Sequence, residues 1–188
     1  MKKIIFFLAI SLMLVACSPT QSSLDEYNGY KFYEDADGFW ITKLSTFHGD
    51  DDVPFYFHPS EVDNLTYNNS INDYMGFIQR NGGRVLLGLD PNFPERYDAV
   101  AAVEIGKITG RVFGIETRSG FVSSVEELPV HNCSVANPQN FVIELRQGNF
   151  TGVESKDFCA IITTEHPRDI LKGANLMGYK LLGIIPLE

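Results

Sequence analysis

The chain has 188 residues, 44% of them hydrophobic, enough to bury one domain-sized core. Its 24 acidic residues outnumber 15 basic ones, for a formal charge of −9. No cluster of Lys and Arg interrupts that excess, so the composition excludes nucleic acid as a partner, because displacing counterions from phosphates needs clustered cations.

The chain opens with Lys2 and Lys3, an apolar run over residues 4–15, and the tetrapeptide Leu14-Val15-Ala16-Cys17. This is the pattern of a signal peptide cut before a cysteine that then receives lipid. The twelve residues 4–15 span about 18 Å as a helix, short of the roughly 20 residues a bilayer core requires, so residues 1–16 read as a leader and not as a retained span. Cys17 is the expected lipidation site and first residue of the mature chain. Each buried methylene of an acyl chain such as palmitate contributes about 0.8 kcal/mol, so two chains hold where one exchanges. Cleavage also removes two lysines and leaves the mature chain more acidic, so the acyl chains anchor it without help from anionic head groups. The expected location is the extracytoplasmic face of the cell membrane, or the outer membrane where the source has two.

Residues 17–28 are polar and lack periodicity, and read as the lipidated cysteine and a flexible tether; residues 29–188 read as a single extracytoplasmic domain. Segments 30–33 and 39–47 are rich in aromatic and β-branched residues and flank an Asp37-Gly38 turn. A second turn at 49–52 leads into 53–57, giving an antiparallel meander. Ser60 with Asp63, and Ser70 with Asp73, are helix-capping signals. The second predicted helix carries Ile71, Tyr74 and Ile78 on one side and stops at Asn81-Gly82-Gly83. Residues 85–89 form a continuous apolar run, as expected of a strand covered on both faces. Pro94 opens a long helix running to about residue 113, with Tyr97, Ala101, Ile105, Ile108 and Val112 inward and Glu104, Lys107 and Arg111 on the far side. A short strand near 121–125, a loop carrying Cys133, and strands at 141–145 and 158–164 follow. A helix over 169–182, with Ile170, Ala174, Met177 and Leu181 inward, closes the domain at Gly183. The alternation predicts an α/β fold: a single layered sandwich whose mixed sheet has parallel core strands covered by helices, extended by the N-terminal antiparallel meander.

Cys133 and Cys159 are expected to form a disulfide in an oxidising compartment, against the competing reading of two buried thiols. Four sequons place possible glycosylation at Asn64, Asn68, Asn132 and Asn149, relevant only where exported asparagines are glycosylated. Open α/β sheets bind ligands at the carboxyl ends of their strands. There the sequence puts Asp90 after one strand and Glu165 with His166 after another, a set suited to acid–base work if the strands are neighbours and otherwise to plain turn and cap roles. His48, Asp50, Asp51, Asp52 and His58 gather oxygen and nitrogen donors near one hairpin, without the spacing of a calcium loop; a solvated acidic turn is the simpler reading. Gly106 and Gly110 invite close packing within the long helix. The glycines match no phosphate-binding fingerprint and no Gly-x-Ser-x-Gly elbow occurs, so neither cofactor nor metal is expected. Phe32, Phe39, Trp40, Phe47, Phe55, Tyr56 and Phe57 exceed what one sheet face needs, so some are candidates for an exposed contact surface beside ordinary packing.

Asp98-Ala99-Val100-Ala101-Ala102-Val103-Glu104-Ile105, the two-cysteine segment, and the ending from Asp169-Ile170-Leu171-Lys172-Gly173-Ala174-Asn175 through Leu181-Leu182-Gly183-Ile184 resemble small uncharacterised lipoproteins encoded in archaeal genomes. The resemblance covers the C-terminal half and implies display on the surface of a cell with one membrane; it carries over no catalytic residues. The functional expectation is a membrane-anchored binding or assembly module that contacts protein or glycan. The alternative is an extracytoplasmic hydrolase or metal-dependent enzyme using Asp90, Glu165 and His166.

Overall fold

The computed structural model describes residues 24–188; the leader and Cys17 lie outside the described residues. The described chain is the expected α/β sandwich in three layers. A four-stranded antiparallel sheet holds β1 (Asp25–Tyr27), β2 (Tyr30–Glu34), β3 (Trp40–Thr46) and β4 (Gly49–Phe55) in sequence order. A six-stranded sheet is built from β5 (Thr66–Tyr67), β6 (Arg84–Leu89), β7 (Glu116–Phe121), β8 (Asn140–Gln147), β9 (Gly152–Lys156) and β10 (Cys159–Thr164), in the order β5-β9-β10-β8-β6-β7. Its core strands β7, β6, β8 and β10 are parallel, and only the β9–β10 pair is antiparallel. The helices α1 (Ser70–Arg80), α2 (Tyr97–Gly106) and α3 (Ile170–Leu181) share one apolar core with both sheets, and α2 and α3, with the turn that continues α2, also meet the meander, through Lys107 and Pro54 and through Tyr179 and Phe55.

The first strand begins earlier than the sequence suggests. Residues 25–27 belong to β1 and not to the tether, because Asp25, Glu26 and Tyr27 pair with Phe32, Lys31 and Tyr30 across a turn in which Asn28 and Gly29 both take positive φ. The first capping signal yields only a 3-10 turn, Pro59–Glu61, capped by His58 and not by Ser60. Ahead of α1, the Asn68 carboxamide oxygen accepts from the backbone N and the hydroxyl of Ser70, while Gly82, at φ 66°, lets the chain leave the helix.

The long helix differs most from expectation. Glu95 and Arg96 adopt left-handed backbone before α2, and the helix continues past Gly106 as a π-helical turn, Lys107–Val112. Glu104 and Lys107 do not face solvent. They lie under the meander, where Lys107 Nζ bonds Glu104 Oε2 at 2.8 Å and the Pro54 carbonyl, and sits 5.0 Å from the Phe55 ring centre, while Asn175 Nδ2 donates to Glu104 Oε2 at 3.0 Å. Val103 takes the outward position, 69% exposed. A helix packed on a sheet on one side and a meander on the other needs apolar residues on two faces, and here a paired charge fills one of them. Gly106 and Gly110 meet nothing closer than 3.9 Å where a Cβ would sit, so close packing does not require them.

The outer face of the six-stranded sheet carries a smaller apolar cluster of Leu86, Val142 and Cys159, roofed by residues 122–139. Gly88 and Gly120 are register partners on β6 and β7, and the roof runs across them so closely that a Cβ on Gly88 would strike the His131 carbonyl and one on Gly120 that of Pro129. The roof is also fixed covalently, since Cys133 and Cys159 form a disulfide. The expected strand near 121–125 is β7, which ends at Phe121.

Candidate functional site

Because β6, β8 and β10 are parallel, their carboxyl ends share one rim, and Asp90, Glu165 and His166 all lie on it. The strands that carry them are not neighbours. β8 stands between β6 and β10, a separation of two strand spacings, about 9.6 Å. Asp90 closes a local turn, its Oδ1 accepting from Asn92 N at 2.9 Å and its carbonyl from Phe93 N at 3.0 Å. Glu165 and His166 are exposed; His166 leads into the 3-10 turn Pro167–Asp169 and its carbonyl accepts from Thr164 Oγ1 at 2.6 Å. These contacts are those of turns and caps.

The rim instead gathers side chains from β8. Strand alternation sends Phe141, Ile143 and Leu145 into the main core and Val142, Glu144 and Arg146 to the outer face. Glu144 is flanked by Gly88 on β6 and Ile161 on β10 and is fully buried beneath the roof. Its Oε1 accepts from the Cys133 backbone N. Its Oε2 forms an ion pair with the Arg146 guanidinium, without hydrogen-bond geometry to any donor among the described residues. A buried carboxylate is costly unless paired, and here a cation on the same strand face and a backbone amide of the roof pair it. Arg146 remains 47% exposed. Its free N–H groups line a cavity of about 390 Å³ together with Asp90, Asn132, Ser134, Gln147 and Cys133.

Asn132 shapes one wall. Its Oδ1 accepts from Ser134 N at 3.1 Å and Ser134 Oγ at 2.5 Å, and its Nδ2 donates to the Val122 carbonyl at 2.9 Å. The nitrogen a glycan would modify is therefore engaged, next to a disulfide-bonded cysteine, whereas Asn64, Asn68 and Asn149 are exposed. Donor atoms of Cys133, Cys159 and Glu144 lie within 4.8 Å of one another, but the sulfurs are bonded together and so are not thiolate ligands.

The donors around the β3–β4 hairpin disperse. Asp50 accepts from Ser45 Oγ at 3.2 Å and Asp51 pairs with Arg111. His58 is buried elsewhere, among Tyr27, Phe32 and Trp40, with ring centres 6.0, 5.2 and 4.7 Å away. Phe32 and Phe55 are buried and Phe47 is 70% exposed at the hairpin tip, so the aromatic surplus goes mainly into packing and into enclosing His58.

Glu144 and Arg146 were missed in the sequence because Phe141-Val142-Ile143 reads as a strand buried on both sides. The available signal was a carboxylate inside that strand and an arginine two residues on, which alternation must place together. Scans against family models and searches of curated proteins and of solved structures found no match.

Proposed function

We propose that the chain is a lipid-anchored binding module on the extracytoplasmic face of the membrane, held by acylated Cys17 and contacting protein or glycan through the rim above β6 and β8. The observation that carries this reading is Arg146, half exposed in a polar cavity and held in place by a buried carboxylate. A cation whose orientation is fixed on a central strand, beside Asn132, Ser134, Gln147 and Asp90, suits recognition of a hydroxyl-rich or peptide ligand by several hydrogen bonds. The hydrolase reading has less support, since Asp90 is occupied in its own turn and β8 separates it from Glu165 and His166.

The test is site-directed photo-crosslinking in intact cells. A crosslinker at Gln147 or Ser134 is expected to capture one partner that Arg146→Ala loses, and the same group at Lys43, on the meander, captures nothing in common with it. A shared catch at all three positions, or none at the rim, overturns the reading. Mass spectrometry of the amino-terminal peptide is expected to show a diacylated Cys17; an intact Met1 refutes the anchor.

A further inference from the structure

The rim cavity lies where the sheet parts. The chain leaving β6 turns to α2 and on to β7, whereas the chain leaving β8 turns the other way, past β10, to β9. Loops that diverge from adjacent parallel strands leave a crevice at their carboxyl ends, and there open α/β sheets take their ligands. Gly88 and Glu144 are register partners on β6 and β8. Asp90 and Arg146 stand two residues beyond them, so they leave adjacent strands at one level, about 4.8 Å apart, and both line the cavity. Arg146 pairs with Glu144 and not with Asp90. One oxygen of Asp90 is used in its own turn, Oδ1 accepting from Asn92 N at 2.9 Å, and Oδ2 takes no hydrogen bond from the described residues. The Ser134 hydroxyl gives its hydrogen to Asn132 Oδ1, so toward a ligand it only accepts, as the guanidinium only donates.

We propose that this cavity binds a neutral sugar through a vicinal diol, whose hydroxyls donate to Asp90 Oδ2 and accept from the Arg146 guanidinium, with Ser134 Oγ as a further acceptor. This names the ligand class of the rim and so rests on the rim being the contact surface. The charges decide against other ligands. The ionised side chains lining the cavity are Arg146, Glu144 and Asp90, one cation against two acids. A carboxylate or phosphate would meet a cation already paired and a second carboxylate beside it, and a cationic ligand would face the Arg146 N–H groups with like charge. An extended peptide needs an open strand edge to pair with, and both edges of β6 and of β8 are taken by neighbouring strands. A hydroxyl donates and accepts at once, so two adjacent ones can serve a carboxylate and a guanidinium on neighbouring strands, and bonds to ionised partners are roughly twice as strong as neutral ones. Val122 lines the same cavity and offers apolar contact to ring C–H groups. Glu144, fully buried, holds Arg146 in place before the ligand arrives, which lessens the ordering that binding costs. The volume, about 390 Å³, falls among small-molecule sites, which run from about 300 to 1,000 Å³.

The test applies the full-length protein, in a detergent without a sugar head group, to an array of neutral glycans with sialylated, phosphorylated and amino-sugar glycans beside them. Wild type is expected to prefer neutral glycans, and to bind about tenfold or more weakly when either hydroxyl of the diol is replaced by hydrogen. Arg146→Lys keeps the charge and the pair with Glu144 but loses the fork of donors. Asp90→Asn keeps the oxygen that closes the turn and turns Oδ2 into a donor. Each substitution is expected to weaken binding about tenfold at an unchanged urea midpoint. Should Asp90→Asn unfold, Arg146→Lys and the deoxy sugars serve the same comparison. Wild type that binds no neutral glycan, binds charged ones better, or binds neutral ones no more tightly than both variants do overturns the assignment. The rim is judged apart, by whether crosslinking at Gln147 and Ser134 depends on Arg146: a partner captured there without any binding of neutral glycans keeps the rim and overturns the sugar.

Discussion

Glu104 and Lys107 show that a residue's environment is decided by what covers it as much as by its own chemistry. Burial pushes the Lys107 ammonium below its usual lysine range, while Glu104 acts against that shift. Removing only the cation leaves a carboxylate among apolar neighbours with Asn175 as its one donor, and breaking a buried pair this way costs about 3 to 5 kcal/mol. Lys107→Met is therefore expected to lower the unfolding free energy from urea titration by that amount, and the double variant Glu104→Met with Lys107→Met to recover most of it. Equal losses in the single and double variants rule out the pairing. Gly88 is a second position where the neighbour decides: alanine there must displace the His131 carbonyl, and overpacking of this kind costs about 1 to 3 kcal/mol. The sequence shows the glycine but not the roof above it, because the segment that supplies the clash lies more than forty residues away along the chain.

At the scale of elements, legibility followed periodicity. The apolar runs that became β6, β8 and β10, the stripe of Ile71 and Ile78 on α1, and the closing helix were all readable, since each buries a regular face. β9 and β5 were not: Gly152–Lys156 mixes glycine, glutamate, serine and lysine, and Thr66–Tyr67 is two residues long, so both owe their conformation to pairing with a formed sheet. The polar side of the long helix was misread for the same reason, as periodicity locates an apolar stripe without revealing that the meander will cover the opposite face. The roof over the outer face has little periodicity and is held by the disulfide and the glycine trough. Closing a loop across 26 residues stabilises by roughly 3 to 4 kcal/mol on the chain-entropy model. Replacing both cysteines by serine is expected to cost about that much in denaturant unfolding. It is also expected to weaken partner capture at Ser134, because the roof that presents Asn132 and Ser134 loses its fixed point. Capture that survives undiminished in a destabilised variant shows that the roof holds its place without the bond.

For the whole molecule, the titratable groups bound the pH range over which the layers stay together. His131 is pushed below the usual histidine range, chiefly by burial, with the Arg118 charge acting in the same direction and a backbone hydrogen bond at Leu87 against it. Its unfolded form thus takes up protons that the folded form refuses, and stability falls as pH drops below about 6.5. The alkaline limit has the opposite origin. Burial raises the phenols of Tyr67 and Tyr179, and burial together with Asp63 pushes Tyr27 up to about 12. Above pH 10 the unfolded chain releases phenolic protons that the folded chain keeps, so the folded state binds more protons and loses stability as pH rises. Tyr179 belongs to the joint between layers, stacked on Phe55 at 4.4 Å and donating to the Phe57 carbonyl at 2.6 Å, so the proton it keeps in the folded state is tied to the contact between meander and helices. Urea midpoints measured from about pH 8 to about pH 11 are expected to decline steeply beyond 10 in wild type and less steeply in Tyr179→Phe, whose midpoint starts lower for want of one hydrogen bond. Parallel curves in the two proteins place the alkaline limit elsewhere than at this joint.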